Sequence, residues 1–172
     1  MEDAAVMDAS GSVDAAVLVP LFGWPSNPGL IFTERRHDMR RHAGEISFPG
    51  GRRDSGESYV DTALREAEEE IGLGRDRVEV VGALPPIGTF VTNYKVHPIV
   101  GLVSGRVDFE PNPTEVETVL AFEVGALRQG FAMRRLIRHG VPIRTPTYVV
   151  AEHLIWGATA RILGNLLERL DA

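Results

Sequence analysis

The sequence predicts one α/β domain, and three observations predict it. Short runs rich in Val, Ile, Leu and Phe recur along the chain with turn residues between them. Two other segments, residues 58–71 and Glu152 to Leu170, carry apolar residues at helical spacing. No repeat, linker or low-complexity run interrupts the 172 residues, a length that can bury a sizeable core as one unit.

In chain order, Met1 to Ser12 is acidic and bears Ala, Ser and Gly, so it reads as a flexible tail (1–12) ahead of a domain over 13–172. It lacks the basic start of a secretory signal. Val13 to Phe22 reads as a buried strand, closed by a loop over Gly23 to Pro28. Leu30 to Glu34 and Glu45 to Phe48 read as short strands, the second entering Pro49-Gly50-Gly51. Residues 58–71 follow as a helix, with Gly72 placed as a C-terminal glycine. Arg77 to Leu84 is a strand carrying Val78, Val80 and Val81, Pro85 to Asn93 a loop, and Val96 to Val103 a strand. Glu115 to Val124 is strand-like and leads into a turn around Ala126-Leu127. Phe131 to Ile137 and Ile143 to Val150 form a hairpin across His139-Gly140. Glu152 to Leu170 closes the chain as an amphipathic helix, with Leu154, Ile155, Ala158, Ile162, Leu166, Leu167 and Leu170 inward.

Composition excludes several classes. No apolar run approaches the ~20 residues a membrane helix needs, so no membrane partner is expected. The absence of cysteine excludes disulfides, thiolate metal sites and cysteine nucleophiles. Leu170-Asp171-Ala172 is no peroxisomal address, and the expected compartment is cytoplasmic. A net charge of −6 argues against nucleic acid as a partner. The sequence leaves a homodimer open. Yet Arg35, Arg36, Arg40, Arg41, Arg52 and Arg53 crowd together with His37 and His42. A basic patch on an acidic protein suits a small ligand with several phosphates.

The stretch Gly51 to Leu73 concentrates the chemistry. On a helix, Glu66, Glu69 and Glu70 share one face, because positions i, i+3 and i+4 are neighbours. Val60, Ala63, Leu64, Ala67 and Ile71 fill another face that can bury. Like charges at that spacing oppose the helix by a few tenths of a kcal/mol. Hard divalent cations between the carboxylates would resolve the conflict. The competing reading is a solvated acidic face, the commonest fate of a Glu-rich helix.

The stretch resembles the signature box of the Nudix hydrolases, through Gly51, Glu57, Arg65, Glu66, Glu69, Glu70, Gly72 and Leu73; Ala67 is smaller than the aliphatic the family favours. The preceding run, with Thr33, Arg35, Arg40, Gly44, Phe48, Pro49, Gly50 and Gly51, resembles the motif of the coenzyme A pyrophosphatase branch. Ile31 and Phe32 replace its two leucines, and Arg36 stands where that branch prefers Ser or Ala. Asn112 to Val116 and Ile155 to Ala160 resemble the branch more loosely.

The resemblance implies an α/β/α sandwich with a mixed β-sheet. It implies hydrolysis of the coenzyme A diphosphate to 3′,5′-ADP and 4′-phosphopantetheine with Mg²⁺ or Mn²⁺. Under it, Glu66, Glu69 and Glu70 hold metal, with Glu57 and Gly50 supporting. Arg35, Arg40 and Gly51 meet the substrate, and Arg65 positions the carboxylates. Glu69 and Glu115 compete as general base, the advantage falling to whichever carboxylate the metals leave free. Trp156 and Phe48 read as core, and His37 and His42 as surface or hydrogen-bonding residues. Arg134, Arg135 and Arg138 receive no role. Two alternatives stand beside this one: action on another nucleoside diphosphate compound such as ADP-ribose, and a non-catalytic nucleotide-binding module.

Overall fold

A computed structural model describes residues 12–39, 44–89, 93–138 and 140–171. Of the predicted tail only Ser12 falls among them. Strand β1 (Val13–Phe22) runs through the middle of the main sheet, and its side chains alternate between two layers. Ala15, Val19 and Leu21 enter one buried cluster, while Ala16 and Leu18 enter the other. This period of two lets one strand serve two cores.

The strands that flank it are β2 (Gly29–Arg35), β3 (Ile46–Ser47) and β4 (Gly50–Arg52). β2 pairs β1 antiparallel at the Phe22 end, and β4 pairs it at the Ala15 end. Helix α1 (Tyr59–Ile71) comes next, capped by the Ser58 hydroxyl, which accepts from the Asp61 N–H at 3.0 Å. At its other end Gly72 has φ 69°, a left-handed C-terminal cap in which the Leu73 N–H reaches back to the Ala67 carbonyl.

After a 3₁₀ turn (Arg75–Arg77) come β5 (Val78–Ala83), the two-residue β6 (Ile87–Gly88) and β7 (Tyr94–Val103). β7 lies parallel to β1 over nine residue pairs, so the sheet is mixed. β6 sits inside the stretch expected to be loop, because Ile87 and Gly88 pair with Val96 and Lys95. β8 (Val116–Glu123) joins β2, and α2 (Val124–Gln129) forms a six-residue helix where a turn was expected.

A second, three-stranded sheet follows: β9 (Phe131–Arg138), β10 (Val141–Val150) and β11 (His153–Ile155). The closing helix α3 (Gly157–Leu170) is therefore shorter than the sequence suggests. Ile155 is buried as expected, but as a strand residue opposite Tyr148, and Leu154 is exposed. The reason is local. Ala151 and Glu152 form a tight two-residue turn with φ of 47° and 68°, and Gly157 at φ 67° separates strand from helix.

Helices cover both faces of the main sheet. α1 packs Ala63, Leu64, Ala67 and Ile71 against Ala16, Leu18, Ile31 and Ile99. α3 packs Ile162, Leu163 and Leu166 against the opposite face, where Phe32 stacks on Phe48 at 4.7 Å. This is the expected α/β/α sandwich. Among the described residues no helix is long and apolar enough to cross a membrane.

Candidate active site

The loop after β4 turns into α1 so that the second half of the helix lies beside Gly50 and Gly51. Both glycines are needed for the approach. A Cβ on Gly51 would lie 2.6 Å from the Glu66 carboxylate, and one on Gly50 would lie 2.4 Å from the Ala16 carbonyl oxygen. The Gly50 N–H donates to Glu70 Oε2 at 3.1 Å, which fixes the last carboxylate of the helix against the strand.

Arg65 organises the remaining acids. Its Nε donates to Glu57 at 2.8 Å, and its Nη1 donates to Glu66 at 2.9 Å and to Glu69 at 3.3 Å. Its Nη2 adds the Arg52 carbonyl at 3.1 Å. Glu57 also accepts from the buried Thr62 hydroxyl at 2.7 Å. These donors, Arg65 foremost, hold the Glu57 carboxyl down at about 2.

Glu70 is the opposite case. Burial, opposed by the Gly50 N–H, pushes its carboxyl up to about 8, and the charges of Glu66 and Glu115 push the same way. Burial raises Glu66 as well, against the pull of Arg65. Two neighbouring carboxylates are thus partly buried with less positive charge than they need.

The three glutamates are unequally covered. Glu66 is 16% exposed and turned to β4, whereas Glu69 is 57% exposed and follows Arg65, one turn earlier, toward solvent. Among the described residues no group of three or more acids or histidines closes into a ready cation site.

The loop before β8 brings Glu115 to this corner. The Glu110 and Asn112 N–H groups donate to the Ile71 and Glu70 carbonyls at 2.9 and 2.7 Å, satisfying carbonyls at the end of α1. Glu115 then stands near enough to act electrostatically on both Glu66 and Glu70. Its exposed side chain makes no hydrogen bond or ion pair among the described residues. Arg35, at the end of β2, acts on Glu70 with the opposite sign. Arg40, Arg41 and His42 lie outside the described residues. His37 Nε2 donates to the Glu34 carboxylate at 2.8 Å, as a hydrogen-bonding residue.

Sequence reasoning missed three neighbours. Thr62 looked like an ordinary helix residue, and only its burial beside Glu57 shows its purpose. Asp14 lies 3.5 Å from Arg53, tying β1 to the box loop. His153, on β11, stands 3.6 Å from Glu34 beside Arg35.

Residues 14–139 match the NUDIX domain family, and the chain belongs to that family. It is a Nudix hydrolase of the pyrophosphatase type. Its sequence is 38% identical over 158 residues to the uncharacterized Nudix hydrolase NudL of Pectobacterium atrosepticum, covering 88% of this chain and 80% of that protein. It is 37% identical over 155 residues to NudL of Escherichia coli O1:K1, with the same shares of each chain covered. The fold is similar to the Nudix hydrolase RenU from M. smegmatis, with TM-score 0.58 and 18% identity over 69% of this chain and 75% of that one. It is also similar to a C. elegans Ap4A hydrolase, with TM-score 0.52 and 16% identity over 62% and 77% of the respective chains.

Nudix hydrolases generally use divalent metal ions. The donor set fits one: hard carboxylate oxygens on Glu66 and Glu70, partly buried and short of positive charge.

Proposed function

We propose that this Nudix hydrolase cleaves the diphosphate of coenzyme A or its derivatives, yielding 3′,5′-ADP and 4′-phosphopantetheine. The observation that carries this reading is the placement of the branch-like run. Thr33 and Glu34 pair with Ser47 and Ile46, so both ends of that run meet on adjacent strands and deliver Gly50 and Gly51 to the carboxylates. The same pairing sets Arg35 within electrostatic reach of Glu70.

In this reading Glu66 and Glu70 hold Mg²⁺ or Mn²⁺, with Glu57, Glu69 and the Gly50 main chain supporting. The cation, when bound, neutralises the diphosphate and makes a water more acidic. Arg35 and Arg40 contact phosphate oxygens, for which guanidinium geometry is suited. Arg65 is a positioning residue, because its donors are already spent on Glu57, Glu66 and Glu69. Gly51 makes room for Glu66. Glu115 is the general base, because it is the carboxylate at this corner whose side chain has no partner among the described residues. It takes the proton of the attacking water as the oxygen bonds to phosphorus and the bridging P–O bond breaks.

Product analysis by mass spectrometry tests the reading. With coenzyme A and Mg²⁺ the two named products should appear, at a higher kcat/KM than the products from ADP-ribose or diadenosine polyphosphates. Preference for either of those compounds would sink the coenzyme A assignment and keep the hydrolase.

A further inference from the structure

A cavity of about 650 Å³ lies between α3 and the β9–β10 hairpin. It is remote from the carboxylates, since α3 covers one face of the main sheet and α1 the other. Its volume is in the range of small-molecule sites. Ile87, Phe131, Met133, Pro146 and Leu167 give it an apolar wall. Phe131 and Met133 are 47% and 41% exposed, large apolar side chains left open on this wall.

The polar groups around it are short of partners. Tyr148 is 3% exposed, and its hydroxyl makes no hydrogen bond among the described residues. Asn165 makes none with its side chain either. Arg161 is partly buried, and among the described residues its guanidinium bonds only the Gly88 carbonyl, at 3.1 Å. Arg144 has no carboxylate partner among the described residues, and the hairpin register sets it directly opposite Arg135, which has none either. Like charges opposed across a hairpin are destabilising, and here nothing in the strands offsets them. No Asp or Glu occurs from Phe131 to Val150. Asp171 lines the cavity but is neutralised by Arg128 at 2.9 Å, which leaves Glu168 as the acid against this positive charge.

Two other arginines of the group explain themselves. Arg134 donates to the Thr147 hydroxyl at 3.0 Å, and Arg138 stacks over the Trp156 ring at 3.9 Å. Both lie on the other face of the hairpin, by the alternation of its register. The unpaired Arg135 and Arg144 share the face of Phe131, Met133 and Tyr148.

We infer that this cavity is a second ligand site, for an organic anion with an apolar body. The anionic head would meet Arg144 and Arg135 at the mouth, with Arg161 deeper. The apolar body would cover Phe131, Met133 and Ile87. The Tyr148 hydroxyl and the Asn165 amide supply the hydrogen bonds that set its orientation.

Calorimetric titration with decanoate, against decanol as the neutral control, tests this. Decanoate should bind at least tenfold more tightly than decanol. Arg144→Ala should erase most of that difference, the loss expected of one charge-assisted contact. Gly164→Leu should abolish binding of both, because among the described residues beyond its own helix a Cβ there meets the Tyr148 hydroxyl alone, at 3.4 Å, and the added side chain would fill the cavity. A leucine is also a better helix former than glycine, so a thermal melt should show this variant folded. Glu70→Gln should leave decanoate binding unchanged. Equal binding of acid and alcohol, full binding by Gly164→Leu, no binding by the wild type, or loss in Glu70→Gln would each overturn the assignment.

Discussion

The two sides of the main sheet are built to different tolerances. On the α1 side, Arg65 touches three glutamates, Gly51 leaves no room for a methyl group, and the tight turn at Gly72 is made by glycine. On the α3 side, arginines face one another unpaired, aromatic and aliphatic side chains stay exposed, and the tight turn at Ala151-Glu152 is made by residues that resist it. Strain and charge conflict are accepted on both sides. On the first they converge on a few atoms, as a site for chemistry does. On the second they are spread over a surface that a ligand could relieve.

The sharpest way to break this contrast is at Glu66 and Glu70. Replacing either with Gln should lower kcat by several orders of magnitude and leave the fold intact, because a half-buried or buried charge is removed. Stability should even respond in the favourable direction. With Glu70 held up to about 8, the folded state binds a proton that the unfolded state releases in the ordinary carboxylate range. Folding stability without divalent cation should therefore fall as pH rises from about 5 toward 8. Glu70→Gln should flatten that slope, and Mg²⁺ should reverse it in the wild type by favouring the carboxylate. Urea melts across this range in chelator would show it. A flat wild-type profile, or near-normal turnover by either variant, would remove these residues from the site.

Glu115→Gln should cost about 10²- to 10⁴-fold in kcat, the usual contribution of a general base. The loss should come with disappearance of the acidic limb of the pH–rate profile at saturating Mg²⁺. An unchanged profile would transfer the role to Glu69. Gly51→Ala should act more gently, roughly 10²-fold, by displacing the Glu66 carboxylate that now fills the space of a Cβ. If kcat for Gly51→Ala matched wild type, the close approach would have no bearing on catalysis.

The contrast also explains what could be seen in the sequence. The box was legible because its determinants are local: Glu57, Arg65, Glu66 and Glu70 sit on one helix and its lead-in, where spacing fixes geometry. The buried strand over Val13 to Phe22 and the apolar faces of two helices were read from the residues, whereas the sandwich that joins them followed from the family resemblance. The unequal behaviour of Glu69 was not legible, because spacing alone does not say where Arg65 will point. Nor was the cavity. Arg161 and Gly88 are 73 residues apart, and Arg144 meets Arg135 only once the hairpin register is set. β11 was lost inside a helix pattern because Leu154 and Ile155 suit either period, and the turn that decides between them uses Ala and Glu.

That turn supports the smallest prediction. Ala151 and Glu152 adopt φ of 47° and 68°, a region that costs a non-glycine residue about 1–2 kcal/mol. Gly72, at φ 69° on the other side of the molecule, meets the same demand with the residue suited to it. Glu152→Gly should therefore stabilise the protein. Part of the gain is lost, because glycine gives the unfolded chain more freedom, a penalty of about 0.4–1 kcal/mol. The net expectation is roughly 0.5 kcal/mol, or about 1–2 °C in Tm for a chain of this size. The reciprocal change, Gly72→Ala, should cost more than Glu152→Gly gains, since its Cβ would also sit 3.1 Å from the Glu110 Cβ. Calorimetric melts of the two variants, with turnover unchanged for Glu152→Gly, would bear this out. A lower Tm for Glu152→Gly would mean that its side chain does more for the turn than its backbone costs.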